Sequence, residues 1–273
     1  MKKFTKLLKT FIVSSNTMSH NIPIFQLFIW GIIYMTTVVG AATAVYASGS
    51  KWEKLPGAAR DIGIGADGSV WVIGTDSTGG GYGIHEWKGM KWKKINGGAV
   101  RITVDPLGNP WVVNSGGNIY QRVNGKWKKL PGAAKDIGIG ADGSVWVIGT
   151  DSTGGGYGIH KWNGMKWKKI NGGAVRIAVD PLGNPWVVNS GGNIYQRVNG
   201  KWEKFPGAAK DIGIGADGSV WVIGTDSTGG GYGIYEWKGM KWKKINGGAV
   251  QISVDSNGMP WVVNSNGYIY RRR

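Results

Sequence analysis

The sequence predicts an all-β fold, a six-bladed β-propeller made of four-stranded antiparallel blades. Residues 61–84 recur without a change at 136–159 and at 211–234, so the repeating unit is 75 residues long. Each unit divides again, because tryptophans in Lys-rich segments are spaced alternately by 40 and 35 residues. These tryptophans are Trp52, Trp92, Trp127, Trp167, Trp202 and Trp242. Repeats of about 40 residues with strand-like patterns are typical of propeller blades.

The shorter repeat gives the clearest prediction of individual strands. Residues 100–104 alternate apolar and polar side chains, which is the period of a β-strand. Turn residues then separate three more strands, predicted at 110–114, 118–123 and 126–130. The second strand is apolar on both faces, as is the equivalent segment 70–73 of the longer repeat. Each sheet is therefore predicted to lie between two neighbouring sheets.

The two ends of the repeat array are complementary. The repeats begin with a lone outer strand at residues 51–55 and end after three strands, at 268–272. The strand counts match if the first strand completes the last blade. Such pairing is expected to close the ring and remove its free edge.

Residues 1–50 differ in composition from the repeats. The basic start Lys2, Lys3, Lys6 and Lys9 is followed by no Lys, Arg, Asp or Glu until Lys51. Residues 24–47 are largely apolar, are long enough to span a bilayer and end in a small-residue pattern that suits signal peptidase. A cleaved signal peptide and an uncleaved N-terminal membrane anchor both remain open. Either one predicts an extracytoplasmic propeller at residues 51–273, secreted or anchored by residues 24–47.

The charge of the chain restricts its partners. The formal net charge is +17, which favours acidic partners such as anionic glycans or an anionic membrane surface. Export makes nucleic acid an unexpected partner. The chain has no cysteine, so it has neither disulfides nor thiolate metal sites.

Two motifs that suggest chemistry have structural explanations. Residues 63–68 fit the dinucleotide-binding pattern G-x-G-x-x-G, but a strand follows them where that motif needs a helix, so we predict a hairpin turn. His85 and His160 are replaced by Tyr235 in the third copy. A catalytic base or metal ligand is not expected to be missing from one of three equal sites. We therefore predict no enzyme, no cofactor and no metal site.

The best candidate for a binding site is the segment that only the longer repeats contain, between their second and third strands. We expect it to be a Gly-rich surface loop. Its Asp, Ser and Thr side chains offer hydrogen bonds and its Tyr offers a stacking face, the combination that sugar recognition needs. The candidate ligand-binding residues are Asp76, Ser77, Thr78, Tyr82, Asp151, Ser152, Thr153, Tyr157, Asp226, Ser227, Thr228 and Tyr232. A flexible loop without a ligand is the alternative.

The blades resemble tectonin repeats. The resemblance lies in Trp-x-x-Leu/Ile with a following Gly at 52–57, in the segment 62–71, and in the closing Ile119-Tyr-Gln-Arg122. It covers residues 51–273. The chain has Trp71-Val-Ile-Gly74 where the family commonly has Trp-Gly-Val-Asn. Sensor-type propellers, with an Asp-Gly turn before a Trp strand, are a second resemblance.

The tectonin resemblance implies a six-bladed lectin that binds sugars or lipopolysaccharide. We accordingly expect an exported lectin-like protein that recognises glycans or lipopolysaccharide multivalently, through equivalent sites on one propeller face. The alternative is a membrane-tethered structural or protein-interaction propeller of the cell envelope that has no sugar site.

Overall fold

The computed structural model of the chain describes residues 51–273, which form six sheets, each of four antiparallel strands. The predicted six-bladed propeller of four-stranded antiparallel blades is thereby confirmed. The predicted signal peptide or membrane anchor lies outside the described residues. Among residues 51–273, no helix has the length and apolar character needed to span a bilayer.

We number the blades in chain order, and three of them are built from the longer repeat. Blade I contains β2 (Asp61–Ile64), β3 (Val70–Thr78), β4 (Gly81–Trp87) and β5 (Trp92–Ala99). Blade III contains β10 (Asp136–Ile139), β11 (Val145–Thr153), β12 (Gly156–Trp162) and β13 (Trp167–Ala174). Blade V contains β18 (Asp211–Ile214), β19 (Val220–Thr228), β20 (Gly231–Trp237) and β21 (Trp242–Ala249).

The other three blades are built from the shorter repeat. Blade II contains β6 (Arg101–Val104), β7 (Pro110–Val113), β8 (Asn118–Val123) and β9 (Lys126–Ala133). Blade IV contains β14 (Arg176–Val179), β15 (Pro185–Val188), β16 (Asn193–Val198) and β17 (Lys201–Ala208). Blade VI contains β22 (Gln251–Val254), β23 (Pro260–Val263), β24 (Tyr268–Arg272) and, as its outer strand, β1 (Trp52–Ala58). In blade VI, Trp52 lies opposite Arg272.

The apolar core is divided among the spaces between neighbouring blades. The second-strand Trp71 of blade I is buried with Ile102 and Val112 of blade II in one cluster, and the other blades repeat this arrangement. The two apolar faces of each second strand are thus covered by different neighbours, as the sequence predicts. Apolar side chains are therefore buried between every two neighbouring blades, and this burial stabilises the propeller.

A second contact between blades comes from the outer-strand tryptophans. The Trp92 indole Nε1 donates a hydrogen bond to the carbonyl oxygen of Pro56 in the preceding blade, at 2.7 Å, and the other five tryptophans of this set donate in the same way. Gly57 follows that carbonyl with φ +85°, and a Cβ there would lie 3.2 Å from the indole. Glycine at this point therefore leaves room for the indole and adopts a backbone conformation that other residues rarely adopt.

The G-x-G-x-x-G segment is a turn, as predicted. Residues 65–69 connect β2 to β3, and Gly68 adopts φ +85° while its N–H donates to the Gly65 carbonyl at 3.0 Å. The strand on either side leaves no helix N-terminus to hold a pyrophosphate.

Candidate functional site

The segment expected to be a Gly-rich loop is the end of a β-hairpin, so that expectation was wrong. Strand β3 continues to Thr78 and β4 begins at Gly81, with Ser77 opposite Tyr82. The ladder is interrupted only between Ile73 and Ser77, where the register shifts. Gly81 at φ +125° allows the tight reversal. The extra residues of the longer repeat thus lengthen two strands.

The hairpin separates the predicted site residues onto two faces. Successive side chains of a strand point to opposite sides, so Asp76 and Thr78 share one face, whereas Ser77 and its partner Tyr82 share the other. The Thr78 hydroxyl oxygen lies over Gly98 of β5, where a Cβ would be only 1.8 Å away. The predicted four residues therefore do not form one site. The same division holds for Asp151, Ser152, Thr153 and Tyr157, and for Asp226, Ser227, Thr228 and Tyr232.

Asp76 lies in a polar cluster that spans three strands of its own sheet. Its Oδ2 accepts a hydrogen bond from Lys94 Nζ on β5 at 2.6 Å, and its Oδ1 is 3.8 Å from His85 Nε2 on β4. In blade III the equivalent distances are 2.7 Å from Asp151 to Lys169 and 3.0 Å from Asp151 to His160. We call Asp76, Asp151 and Asp226 the groove aspartates.

The groove aspartates are held in their charged form. The hydrogen bond from Lys94 lowers the pKa of Asp76, and hydrogen bonds from Lys169 and then His160 lower the pKa of Asp151 to about 2. In blade V the hydrogen bond from Lys244 lowers the pKa of Asp226. These carboxylates are more than a third exposed, so a ligand in solution has access to them.

A groove lies beside Asp226, between blade V and the outer strand of the blade before it, and the repeats place equivalent residues beside the other two carboxylates. In blade V its cavity measures about 270 Å³ and is lined by Asp226, Tyr235 and Trp242, with Gly207 and Ala208 of β17 as the opposite wall. The repeats place Asp76, His85 and Trp92 at the matching positions in blade I. An aromatic ring thus lies near a charged hydrogen-bond acceptor in a shallow groove.

The residue facing the groove aspartate differs among the copies. Tyr235 of blade V replaces the histidine of blades I and III, and burial, followed by hydrogen bonding to Asp226, raises the pKa of its hydroxyl. Both side chains place a polar group and a flat ring at this position. The three grooves therefore share a chemistry without being identical.

A different set of three aspartates surrounds the centre of the propeller. Asp61, Asp136 and Asp211 begin the first strands of blades I, III and V, and each residue is only 6 % exposed. We call them the ring aspartates. The Asp61 carboxylate accepts a hydrogen bond from the backbone N–H of Ile102 in the next blade at 2.8 Å, and the other two repeat this contact with Ile177 and Ile252.

Arginines alternate with the ring aspartates, but one position departs from the pattern. Arg101 Nε is 3.5 Å from Asp136, and Arg176 Nε is 3.5 Å from Asp211. The third equivalent residue is Gln251, whose amide, oriented to donate, lies 3.2 Å from Asp61 and 3.1 Å from Asp211. Burial raises the pKa of Asp61 to about 6 and that of Asp211 to about 7. Three buried carboxylates thus share two cations.

Sequence reasoning found the groove aspartates but missed the residues that complete the groove. The lysines Lys94, Lys169 and Lys244 are part of Lys-rich edge strands, and only the register opposite His85 or its equivalents brings them to the carboxylate. That register depends on a bulge between Gly83 and Ile84, which no residue pattern announces. Within residues 51–273, no group of His, Asp and Glu is arranged to hold a metal ion.

Solved structures with the same fold have very different sequences. YCF48 bound to a D1 peptide aligns with a TM-score of 0.54 and 12% identity, over 81% of this chain and 96% of that one. Streptogramin B lyase aligns with a TM-score of 0.56 and 16% identity, over 83% of this chain and 98% of that one. The WD40 β-propeller domain of Doa1 aligns with a TM-score of 0.56 and 15% identity, over 82% of this chain and 97% of that one. These similarities establish the propeller fold alone.

The family assignment rests on sequence. No curated protein sequence matches the chain. The tectonin domain model, however, matches at residues 31–124, 99–196 and 173–273, which together include all the blades. The resemblance seen in the repeats is thereby confirmed, and the chain belongs to the tectonin family.

Proposed function

We propose that this protein is an exported, lectin-like binding protein that recognises glycans, including the sugars of lipopolysaccharide, through three related grooves. In this proposal the protein binds glycans and catalyses no reaction. Streptogramin B lyase, an enzyme by its name, shares the fold at 16% identity and gives no reason to expect its reaction here.

The observation that carries the proposal is the pairing of an indole with an ionised carboxylate in the groove of blade V, with the same two residues repeated in blades I and III. Asp226 and Trp242 line the same cavity, and Lys244 Nζ bonds the carboxylate at 2.6 Å. A sugar presents an apolar face that stacks on an aromatic ring, and hydroxyls that donate to carboxylates. The lysine ammonium is a donor for the remaining sugar oxygens.

Three grooves on one rigid scaffold favour multivalent binding. The repeats place equivalent groove residues in blades I, III and V, which alternate with the shorter blades, and their hairpins lie at the same end of the antiparallel sheets. A ligand with repeating sugars engages a second groove at high effective concentration once the first is filled. Weak individual sites then give strong binding to a polysaccharide surface.

The proposal places the propeller outside the cytoplasm. Residues 1–50 would act as a signal peptide or as a membrane anchor, and the basic chain would face an anionic cell surface. We also propose that β1 closes the ring, because it pairs with β24 and Arg271 Nε bonds Glu53 at 2.6 Å across that pair. Mass spectrometry of the mature N-terminus separates the cleaved form from the anchored form.

A glycan array tests the binding proposal. The full-length protein is compared with a variant in which Asp76, Asp151 and Asp226 are all changed to Ala. Because the carboxylates are exposed, the variant should fold, and binding should fall at least tenfold through loss of a charge-assisted hydrogen bond in each groove.

The control is the triple change of Ser77, Ser152 and Ser227 to Ala. These residues belong to the same hairpins but face away from the grooves, so binding should be unchanged. Absence of any glycan signal, or a signal equal in both triple variants, would overturn the proposal.

A second candidate function is protein interaction, and it is favoured by the end of the propeller away from the hairpins. The β4–β5 turn of blade I and its equivalents expose Met90, Met165 and Met240, which are 86–89 % accessible, and the β6–β7 and β14–β15 turns expose Leu107 and Leu182. YCF48, which shares the fold, is bound to a peptide in its structure. Changing the three methionines to Ser should abolish capture of a protein partner and leave glycan binding intact.

A further inference from the structure

A cavity of about 580 Å³ at the hairpin end lies between blades II and III and extends to Arg176 at the start of blade IV. Arg101, Lys135, Arg176 and Tyr157 contribute to its lining, together with the β7–β8 turn of blade II. It does not include a groove aspartate. Tyr157, one of the predicted site residues, contributes to this cavity from the opposite face of its hairpin.

The cavity is basic. Lys135 Nζ lies 4.4 Å from the Tyr157 ring centroid, so its ammonium is held over the ring by a cation–π contact. The Arg101 and Arg176 side chains are 22 % and 25 % exposed, and one guanidinium NH of each bonds the carbonyl of the residue before it, at 3.1 and 2.9 Å. The Nε atoms of both arginines are buried without a hydrogen-bond partner.

The two arginines of the cavity already have carboxylate partners, whereas its lysine lies against an aromatic ring. Arg101 Nε is 3.5 Å from Asp136 and Arg176 Nε is 3.5 Å from Asp211, and Lys135 is held over Tyr157. Among residues 51–273, Lys135 forms no ion pair with a carboxylate, so its charge adds to the two arginine ion pairs in a partly desolvated space, where electrostatic attraction is stronger than in bulk water.

The pseudo-threefold repeat gives two internal comparisons. The position of Lys135 is occupied by Lys210 over Tyr232 in blade V and by Arg60 over Tyr82 in blade I. Both of those locations are bordered by Gln251, so each has one arginine of the ring where the blade II–III cavity has two. The substitution of a single ring residue thus makes one of the three locations more basic than the others.

We propose that the cavity between blades II and III is a binding site for an acidic group, a carboxylate or a phosphate, and that it takes one such group per chain. Arg101 and Arg176 supply planar guanidinium donors, which suit both oxyanions, and Lys135 moves from the Tyr157 ring to the ligand. The site does not depend on the glycan grooves and retains its function if they bind no sugar.

Isothermal titration of the full-length protein at low salt tests the site, with glucuronate as the carboxylate probe, inorganic phosphate as the phosphate probe and glucose as the neutral control. We expect saturable binding of glucuronate or phosphate at one site per chain, and glucose should not compete for that site. The two acidic probes distinguish a uronic acid from a phosphate source. Higher salt should weaken binding.

Variants then locate the site. Lys135→Gln should weaken binding about tenfold, since it removes one charge-assisted hydrogen bond to the ligand and leaves the buried ring aspartates and their arginines unchanged. The matched control Lys210→Gln, at the location bordered by Gln251, should change affinity less than about twofold. Gln251→Arg should raise the stoichiometry above one, because it adds the missing cation to the other two locations.

The results that overturn the proposal are distinct from failure of the grooves. Absence of saturable binding by both acidic probes would do so, as would binding equally sensitive to Lys135→Gln and Lys210→Gln, which indicates attraction to basic surface in general. Binding that is lost in the groove variant Asp151→Ala but not in Lys135→Gln would assign the ligand to the groove instead.

Discussion

The ring aspartates and the groove aspartates are the same residue type in the same repeat, yet their environments are opposite. Asp61 and its equivalents are buried and have raised pKa values. Asp76 and its equivalents are half-exposed and have lowered pKa values. Burial disfavours the charged form, whereas a neighbouring ammonium favours it. The local partner of each carboxylate therefore decides its role.

The comparison distinguishes a structural role from the proposed binding role. Each ring aspartate accepts a hydrogen bond from a backbone N–H of the next blade, so its removal breaks a buried contact between two blades. Each groove aspartate bonds a lysine that is about 60 % exposed, and such ion pairs contribute only about 0–1 kcal/mol. A ligand can therefore replace water around the groove carboxylate at little cost to the fold.

In blade III, Asp136→Ala should lower the free energy of unfolding far more than Asp151→Ala. Asp136→Ala leaves the Ile177 N–H and the Arg101 guanidinium without their partner and should lower the free energy of unfolding by about 3–5 kcal/mol. Asp151→Ala should lower it by about 1 kcal/mol or less. Urea denaturation followed by tryptophan fluorescence measures both. Equal losses would remove the distinction between the two sets.

The raised pKa values of the ring aspartates should make the protein less stable as the pH rises. Their folded pKa values, about 6 for Asp61 and about 7 for Asp211, exceed the ordinary 3.8, so the folded state binds more protons than the unfolded state. The contribution of these groups is fully present below about pH 4 and is lost as the pH rises through 6 to 7. The melting temperature should therefore fall over this interval.

Paired variants assign that pH dependence. Asp211→Asn should flatten the fall in melting temperature between pH 4.5 and 7.5, because it removes one titrating group. Asp226→Asn should leave it unchanged, because the lowered pKa of Asp226 moves its contribution to acid pH, where it is lost as the pH falls below about 4. A melting temperature that rises between pH 4.5 and 7.5 would contradict the raised pKa values.

A smaller effect is expected from completing the ring. Gln251→Arg places a third cation near Asp61 and Asp211, so both pKa values should fall toward the ordinary range. The melting temperature at pH 7.5 should rise relative to that at pH 4.5. Calorimetry at the two pH values measures the change. If the difference between the two melting temperatures stays the same, the charge at position 251 does not affect the pKa values of Asp61 and Asp211.

The smallest expected effect concerns the one position at which the grooves differ. Tyr235→His makes blade V match blades I and III and should change the free energy of unfolding by less than about 0.5 kcal/mol. Binding of a monovalent sugar should then fit three equal sites. Titration before and after the change tests this, and a loss of all binding would show that blade V alone holds the ligand.

The sequence was sufficient for the fold because alternation, turn residues and repeat spacing all specify the same strands. Residues 101–104 and 110–113 became strands as predicted, and the Asp67-Gly68 turn followed from the need for positive φ. The site was only partly predictable. That Asp76 and Tyr82 face opposite sides depends on the length of the hairpin and on its bulge, which are properties of strand pairing.

The ring aspartates were not singled out by the sequence for a related reason. Asp61 is the first residue of a short, otherwise apolar strand, and nothing in that pattern indicates that six such strands meet around a centre. Arg101, Arg176 and Gln251 become comparable only when the 75-residue period is followed from blade to blade. That Gln251 stands where the other copies have arginine matters because three carboxylates are left to share two cations.

A crystal structure of the full-length protein with the glycan that ranks first on the array would locate the bound sugar. We expect sugar in the grooves of blades I, III and V, with hydroxyls bonded to the carboxylates of Asp76, Asp151 and Asp226 and a ring face near Trp92, Trp167 or Trp242. Sugar bound elsewhere on the propeller, with the three grooves empty, would contradict this expectation.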